Sequence, residues 1–155
     1  MVIEKKLEEL GIVLPEAPAP VATYVPYRIA GNMLYISGQG PMMNGKIMYT
    51  GRLGANLSVE DGWQAARLCA LNLLAQMKSA VGDLDNIRQI VRVTGYVASA
   101  DTFTEQPRVI NGATDLLAKV FGPSGIPARC AVGVNVLPFD TPTEVDLIAE
   151  ICPAG

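Results

Sequence analysis

Two strand-like runs stand back to back near the end of this chain, and they restrict its fold more than any other feature. The first is Ile126-Pro127-Ala128-Arg129-Cys130-Ala131-Val132-Gly133-Val134-Asn135-Val136-Leu137-Pro138, and the second is Thr143-Glu144-Val145-Asp146-Leu147-Ile148-Ala149-Glu150-Ile151. Paired as a hairpin, they would bring Arg129 near Glu144. Charged side chains are almost never fully buried without a partner, so an arginine at the mouth of an apolar run needs a reason. The ordinary reason is structural: a half-solvated strand-end cation, with Glu144 a surface acid. The other is chemical: an anion clamp beside a general base.

Alternation sorts the side chains of both runs. Cys130, Val132, Val134 and Val136 share one face and are expected to meet helices, while Arg129, Ala131, Gly133 and Asn135 share the other. In the second run Val145, Leu147, Ala149 and Ile151 oppose Glu144, Asp146, Ile148 and Glu150. Small residues beside Arg129 would leave room for a ligand. Cys130, Trp63 and Met77 are expected in the core, the thiol inert.

The rest of the chain supplies helices and further strands. Ile3, Leu7 and Leu10 recur as on a short amphipathic helix over residues 2–10, and three prolines between Leu14 and Pro20 make an extended connector. A hairpin is expected from Tyr24–Ile29 and Met33–Ser37 about Ala30-Gly31-Asn32, with a third strand near Lys46–Tyr49. Ser58 and Asp61 mark the start of a long helix that Gly82 ends. Ile87–Ser99 reads as a strand and about Pro107–Phe121 as a second helix, with Gly122 after its end. The economical arrangement is α+β: a mostly antiparallel sheet with two helices on one face. Residues 1–20 form an N-terminal helix and proline-rich connector, and residues 21–152 a single domain.

Composition excludes several functions. The 155 residues hold no histidine, which removes Ser-His and Cys-His dyads, His-ligated zinc and imidazole proton transfer. Cys69, Cys130 and Cys152 lack metal-like or redox-like spacing, and no GxGxxG or P-loop is present, so neither a metal nor a nucleotide cofactor is expected. A net charge of −3 without a basic cluster argues against nucleic acid, and no apolar stretch reaches the ~20 residues of a membrane span. The amphipathic N-terminus is unlike a signal peptide, so the cytoplasm is expected. Half the residues are apolar and 17% charged, a surplus that favours burial in a subunit interface.

With these residues in view, the chain resembles the RidA/YjgF family. The resemblance is carried by Val25-Pro26-Tyr27-Arg28, Gly31-Asn32-Met33-Leu34-Tyr35-Ile36-Ser37-Gly38-Gln39-Gly40-Pro41, Asn72-Leu73-Leu74, Ile126 to Val132, Leu137-Pro138 and Glu144 to Ala149. It implies a chorismate-mutase-like subunit, a homotrimer with intersubunit sites, and cofactor-free hydrolysis of 2-imino or 2-enamino acids to 2-keto acids and ammonia. It also implies roles by position. Arg129 would hold the substrate carboxylate bidentately, and Glu144 would activate the attacking water. Tyr27, Ser37, Gly38, Asn111 and Ala131 would line the substrate pocket. Arg28-Ile29 after Pro-Tyr, and Cys130-Ala131 after the arginine, mark a divergent branch.

The leading expectation is therefore a 2-iminobutanoate/2-iminopropanoate deaminase-like hydrolase. A non-catalytic trimer binding small carboxylates or 2-keto acids is the alternative. Ribonuclease activity is opposed by the acidic charge and missing histidine. Chorismate mutase is suggested by fold alone, which does not establish function.

Overall fold

β5 (Ile87–Ala98) is the hub of the subunit, because both of its edges are occupied by strands from later in the chain. In the computed structural model, which describes residues 1–153, the five-stranded sheet runs β1-β2-β7-β5-β6. β1 is Tyr27–Ala30, β2 Met33–Gln39, β6 Ala128–Val134 and β7 Thr143–Ile151. All neighbours are antiparallel except β5 and β6. A separate two-stranded ribbon, β3 (Met42–Met43) with β4 (Lys46–Ile47), stands where a third sheet strand was expected.

The expected hairpin of the last two runs is not formed: β5 lies between β6 and β7. The reason is the helix that separates β5 from β6. A strand, a helix and a second strand make a crossover unit, and the crossover returns the chain parallel to the strand it left. α3 (Gln106–Phe121) is that crossover, and it places β6 beside β5 with Val93 level with Arg129. β7 then takes the other edge of β5 and continues onto β2, with Leu147 level with both Val93 and Ile36.

Both helices pack on one face of the sheet. α2 (Val59–Val81) begins at a reciprocal cap, with Asp61 N donating to Ser58 Oγ at 3.1 Å and Ser58 N donating to Asp61 Oδ2 at 3.0 Å. It and α3 stop at Gly82 and Gly122, whose φ of 76° and 65° only glycine adopts without cost. Leu73, Leu74, Met77, Ile110 and Leu117 are buried against Val93, Val97, Val145 and Leu147. Trp63, expected in the core, is only partly buried. α1 (Val2–Glu9) inserts Leu7 into the same cluster, and Asp85 accepts from Val2 N and Ile3 N at 2.7 and 2.8 Å. No helix among the described residues is long and apolar enough to cross a membrane.

α2 and α3 approach most closely at Gly112, where an added Cβ would lie 2.0 Å from the Trp63 carbonyl oxygen. Helix propensity alone would make Gly112→Ala stabilising by ~1 kcal/mol. The backbone clash reverses the sign, because overpacking costs ~1–3 kcal/mol. Gly112→Ala should therefore lower the urea unfolding midpoint, and a raised midpoint would contradict the packing described.

Candidate active site

The crossover corrects the face assignment on β6. The alternation is as expected, but the faces are exchanged: Arg129 and Ala131 look toward α3, while Cys130 and Val132 look away from the helices. The small residues make room for a helix rather than a ligand. A Cβ at Gly133 would meet Gln106 Nε2 at 2.8 Å, and one at Gly95 on β5 would meet Ile110 at 2.5 Å. Val132, read from sequence as core, is 42% exposed, and the Cys130 thiol is exposed as well. Branched residues suit either face of a sheet, so the valines did not mark the helix side.

Arg129 is held at the sheet edge by neutral acceptors. Its Nη1 donates to Thr114 Oγ1 at 3.1 Å and its Nη2 to the Pro107 carbonyl at 3.2 Å, and it has no ion-pair partner among the described residues. Asn111 occurs between Pro107 and Thr114 at helical spacing, which puts it on the stripe of α3 that Arg129 crosses. Arg129, Ala131 and Asn111 are thus brought together on β6 and α3.

Glu144 belongs to a second group on the opposite face. It starts the polar row of β7, level with Tyr96 on β5, and a Cβ on Gly38 would lie 2.7 Å from its Oε2. Burial, and then the neighbouring Asp146 charge, raises the pKa of this half-buried carboxyl above its ordinary value. Ser37 and Gly38 form the irregular part of β2 between Ile36 and Gln39. Ser37 Oγ donates to the Val25 carbonyl at 2.7 Å, so its hydroxyl is spent on fixing the strand end. Tyr27 lies on the helix side of β1, level with buried Ile36, and its Oη donates to the Ser79 carbonyl at 3.4 Å.

The two groups do not meet within one subunit. Two strand spacings and three residues separate Arg129 from Glu144, about 14 Å in all, and the side chains point to opposite faces. Cavities of about 100 and 300 Å³ lie on the helix side, lined in part by Trp63, Arg67 and Asp115 and by Met43, Met48 and Tyr49. Neither includes Arg129 or Glu144. Among the described residues no three His, Cys, Asp or Glu side chains converge as metal ligands would. Cys69 is wholly buried against Thr143, its pKa pushed up to about 12, so it is no nucleophile.

Sequence reasoning gave no role to Tyr96 and Asp146, which lie beside Glu144. Period-two alternation from Glu144 reaches Asp146. Tyr96 joins the group only through the register between β5 and β7, which the sequence does not print.

Residues 4–151 match a family model described as YjgF/chorismate mutase-like. Protein TCP17 of Trypanosoma cruzi is 47% identical over 150 residues, covering 96% of this chain and 94% of that one. The crystal structure of Atu1372 from Agrobacterium tumefaciens, a protein of unknown function, has a TM-score of 0.91 and 51% identity, covering 97% and 93% of the two chains. E. coli TdcF, solved with bound serine, has a TM-score of 0.62 and 26% identity, covering 88% and 94%.

The raised pKa of Glu144 has a sign that stability can report. Between its ordinary and raised values the folded chain holds the proton more tightly than the unfolded chain, so this carboxyl stabilises at low pH. That contribution is lost as pH rises through the folded value. Glu144→Gln should therefore gain stability relative to the parent as pH rises from about 4 to 7. Chemical denaturation at several pH values would measure it, and a pH-independent difference would contradict the assignment.

Proposed function

Since the chain belongs to the RidA/YjgF family, we propose that it hydrolyses small 2-imino or 2-enamino acids to 2-keto acids and ammonia, at sites completed between subunits of a homotrimer. The observation that carries this reading is the placement of two incomplete half-sites on opposite faces of one sheet, one on its edge strand and one on its central strand. A cation without an ion-pair partner lies on edge strand β6, and a desolvated carboxyl lies over Gly38 on the β2 side. Head-to-tail contact joins unlike ends of identical subunits, and it closes into a ring when the rotation allows. Such a ring sets Arg129 of one protomer beside Glu144 of its neighbour. The composition and the exposed Tyr35 and Val132 on the open sheet face support burial there.

Each residue then has a chemical role. Thr114 and the Pro107 carbonyl fix the guanidinium plane of Arg129 and leave its remaining donors for the substrate carboxylate. Glu144 takes a proton from water as the water oxygen bonds to C2 of the imine and the nitrogen gains a proton. The carbinolamine collapses: Glu144 returns its proton to the nitrogen, the C2 oxygen loses its own to solvent, the C–N bond breaks, and the 2-keto acid and ammonia leave. A carboxyl whose pKa is raised above its ordinary value is the better base for this step. Asn111 and Ala131 line the arginine side of the site, and Ser37 and Gly38 its carboxyl side. Tyr27 supports the wall from β1.

The separation of Arg129 and Glu144 within one protomer also favours a second reading, in which the trimer captures small carboxylates at Arg129 without turnover. Stabilisation by 2-keto acids without ammonia release would select it.

Ammonia release from freshly generated 2-iminopropanoate tests the first reading. Arg129→Ala and Glu144→Gln should each lose at least ~100-fold in kcat/KM while remaining folded. Trimers reassembled from an equal mixture of the two inactive variants should recover about one quarter of the parent activity, since that fraction of junctions has both intact residues. No recovery on mixing would exclude a site shared between protomers, and equal rates for parent and Arg129→Ala would exclude the reaction.

A further inference from the structure

Asp146 is a second acid on the open face, and the reaction proposed above does not use it. It lies two residues from Glu144 on β7, on the same face, level with Thr94. Tyr96 is directly opposite Glu144, and its Oη donates to Asp146 Oδ2 at 3.3 Å. Cross-strand partners hold their Cβ atoms ~5 Å apart, so the Tyr96 ring runs beside the Glu144 stem. On the other side a Cβ added at Gly38 would lie 2.7 Å from Glu144 Oε2, so the carboxyl rests against the Gly38 backbone. Glu144 is thus confined between a glycine and a ring whose far end is tied to Asp146.

We infer that Asp146 and Tyr96 are positioning residues for Glu144: Tyr96, anchored on Asp146, fixes the carboxyl against Gly38. The inference rests on the role of Glu144 proposed above. Other groups face this pair from every neighbouring strand. Arg92 and Thr94 come from β5, Cys130 from β6, Tyr35 from β2 with Arg28 beyond it on β1, and Glu150 from β7. Arg92 is partly engaged, since its Nη2 donates to Cys130 Sγ at 3.5 Å. Burial raises the pKa of Asp146, while Tyr96, Thr94 and Arg92 oppose that rise. For Glu144, burial is the larger cause of the rise and the Asp146 charge the next. The charge of Asp146 is therefore the adjustable part of the arrangement.

The test uses the full-length protein with 13C-labelled glutamate, so that Glu144 is titrated directly by NMR and assigned by its loss in Glu144→Gln. Asp146→Asn keeps the oxygen that accepts from Tyr96 and removes only the charge. The Glu144 midpoint should fall, and the acid limb of kcat/KM for 2-iminopropanoate should move down by the same amount. Tyr96→Phe should lower kcat between about 10- and 100-fold with little change in KM, as a misplaced group does. It should also lower the Glu144 midpoint, because Asp146 without its donor is more often protonated. A Glu144 midpoint that moves in neither variant overturns the inference, whether or not the protein turns over substrate. A midpoint that moves in a protein without deaminase activity supports the electrostatic coupling and overturns the proposed reaction instead. Should Asp146→Asn not fold, the Tyr96→Phe titration decides alone.

Discussion

The parallel pairing of β5 with β6 through α3 is the constraint on which the rest of the subunit depends. An α-helical crossover must lie on one face of the sheet, and it returns the chain beside the strand it left. That sends β6 to the sheet edge and gives the inner side of β5 to β7. It also decides which residues of β6 meet a helix. Gly95 and Gly133 lack the side chains that would hold α3 away, and Ile110 and Gln106 occupy the space. With bulkier residues there, α3 would lift from the sheet and Arg129 would lose both of its acceptors.

Arg129 owes its character to this packing. Thr114 and the Pro107 carbonyl orient its guanidinium without neutralising it. A carboxylate partner would have fixed the side chain equally well and cancelled its charge. The edge position means that the rest of any anion site must come from outside the strand. Glu144 has the opposite surroundings: like charge nearby, partial burial and a glycine backbone at its oxygen. Cation and acid are kept far enough apart in the subunit that neither quenches the other.

Much of this was legible in the sequence, and the failures have one physical origin. Local signals predicted well: the Ser58/Asp61 cap, Gly82 and Gly122, β5 with its branched residues, and the polar row Glu144, Asp146, Ile148 and Glu150 all stand as the sequence suggests. Helix and strand type depend on neighbours along the chain. Strand order and face depend on partners far along it. A hairpin of the last two strands is what adjacency along the chain suggests and the crossover forbids, and the valines of β6 read as core because alternation gives two faces without saying which is inward. The same gap hid Tyr96, whose place beside Glu144 is a matter of register alone.

The acid pair on β7 also bears on what a partner for the open sheet face would have to supply. Two carboxylates, both raised by burial, share one face without forming an ion pair to either among the described residues. Like charges two residues apart on one face repel, and Arg92 offsets only part of the cost to Asp146. Retaining both costs stability at neutral pH, where each would be ionised in the unfolded chain. This repulsion is set on an open face that also exposes Tyr35 and Val132. Burying that face between protomers would raise the electrostatic cost further unless the neighbour supplies positive charge. In the homotrimer proposed above, Arg129, which lies without a carboxylate partner on edge strand β6, would supply it.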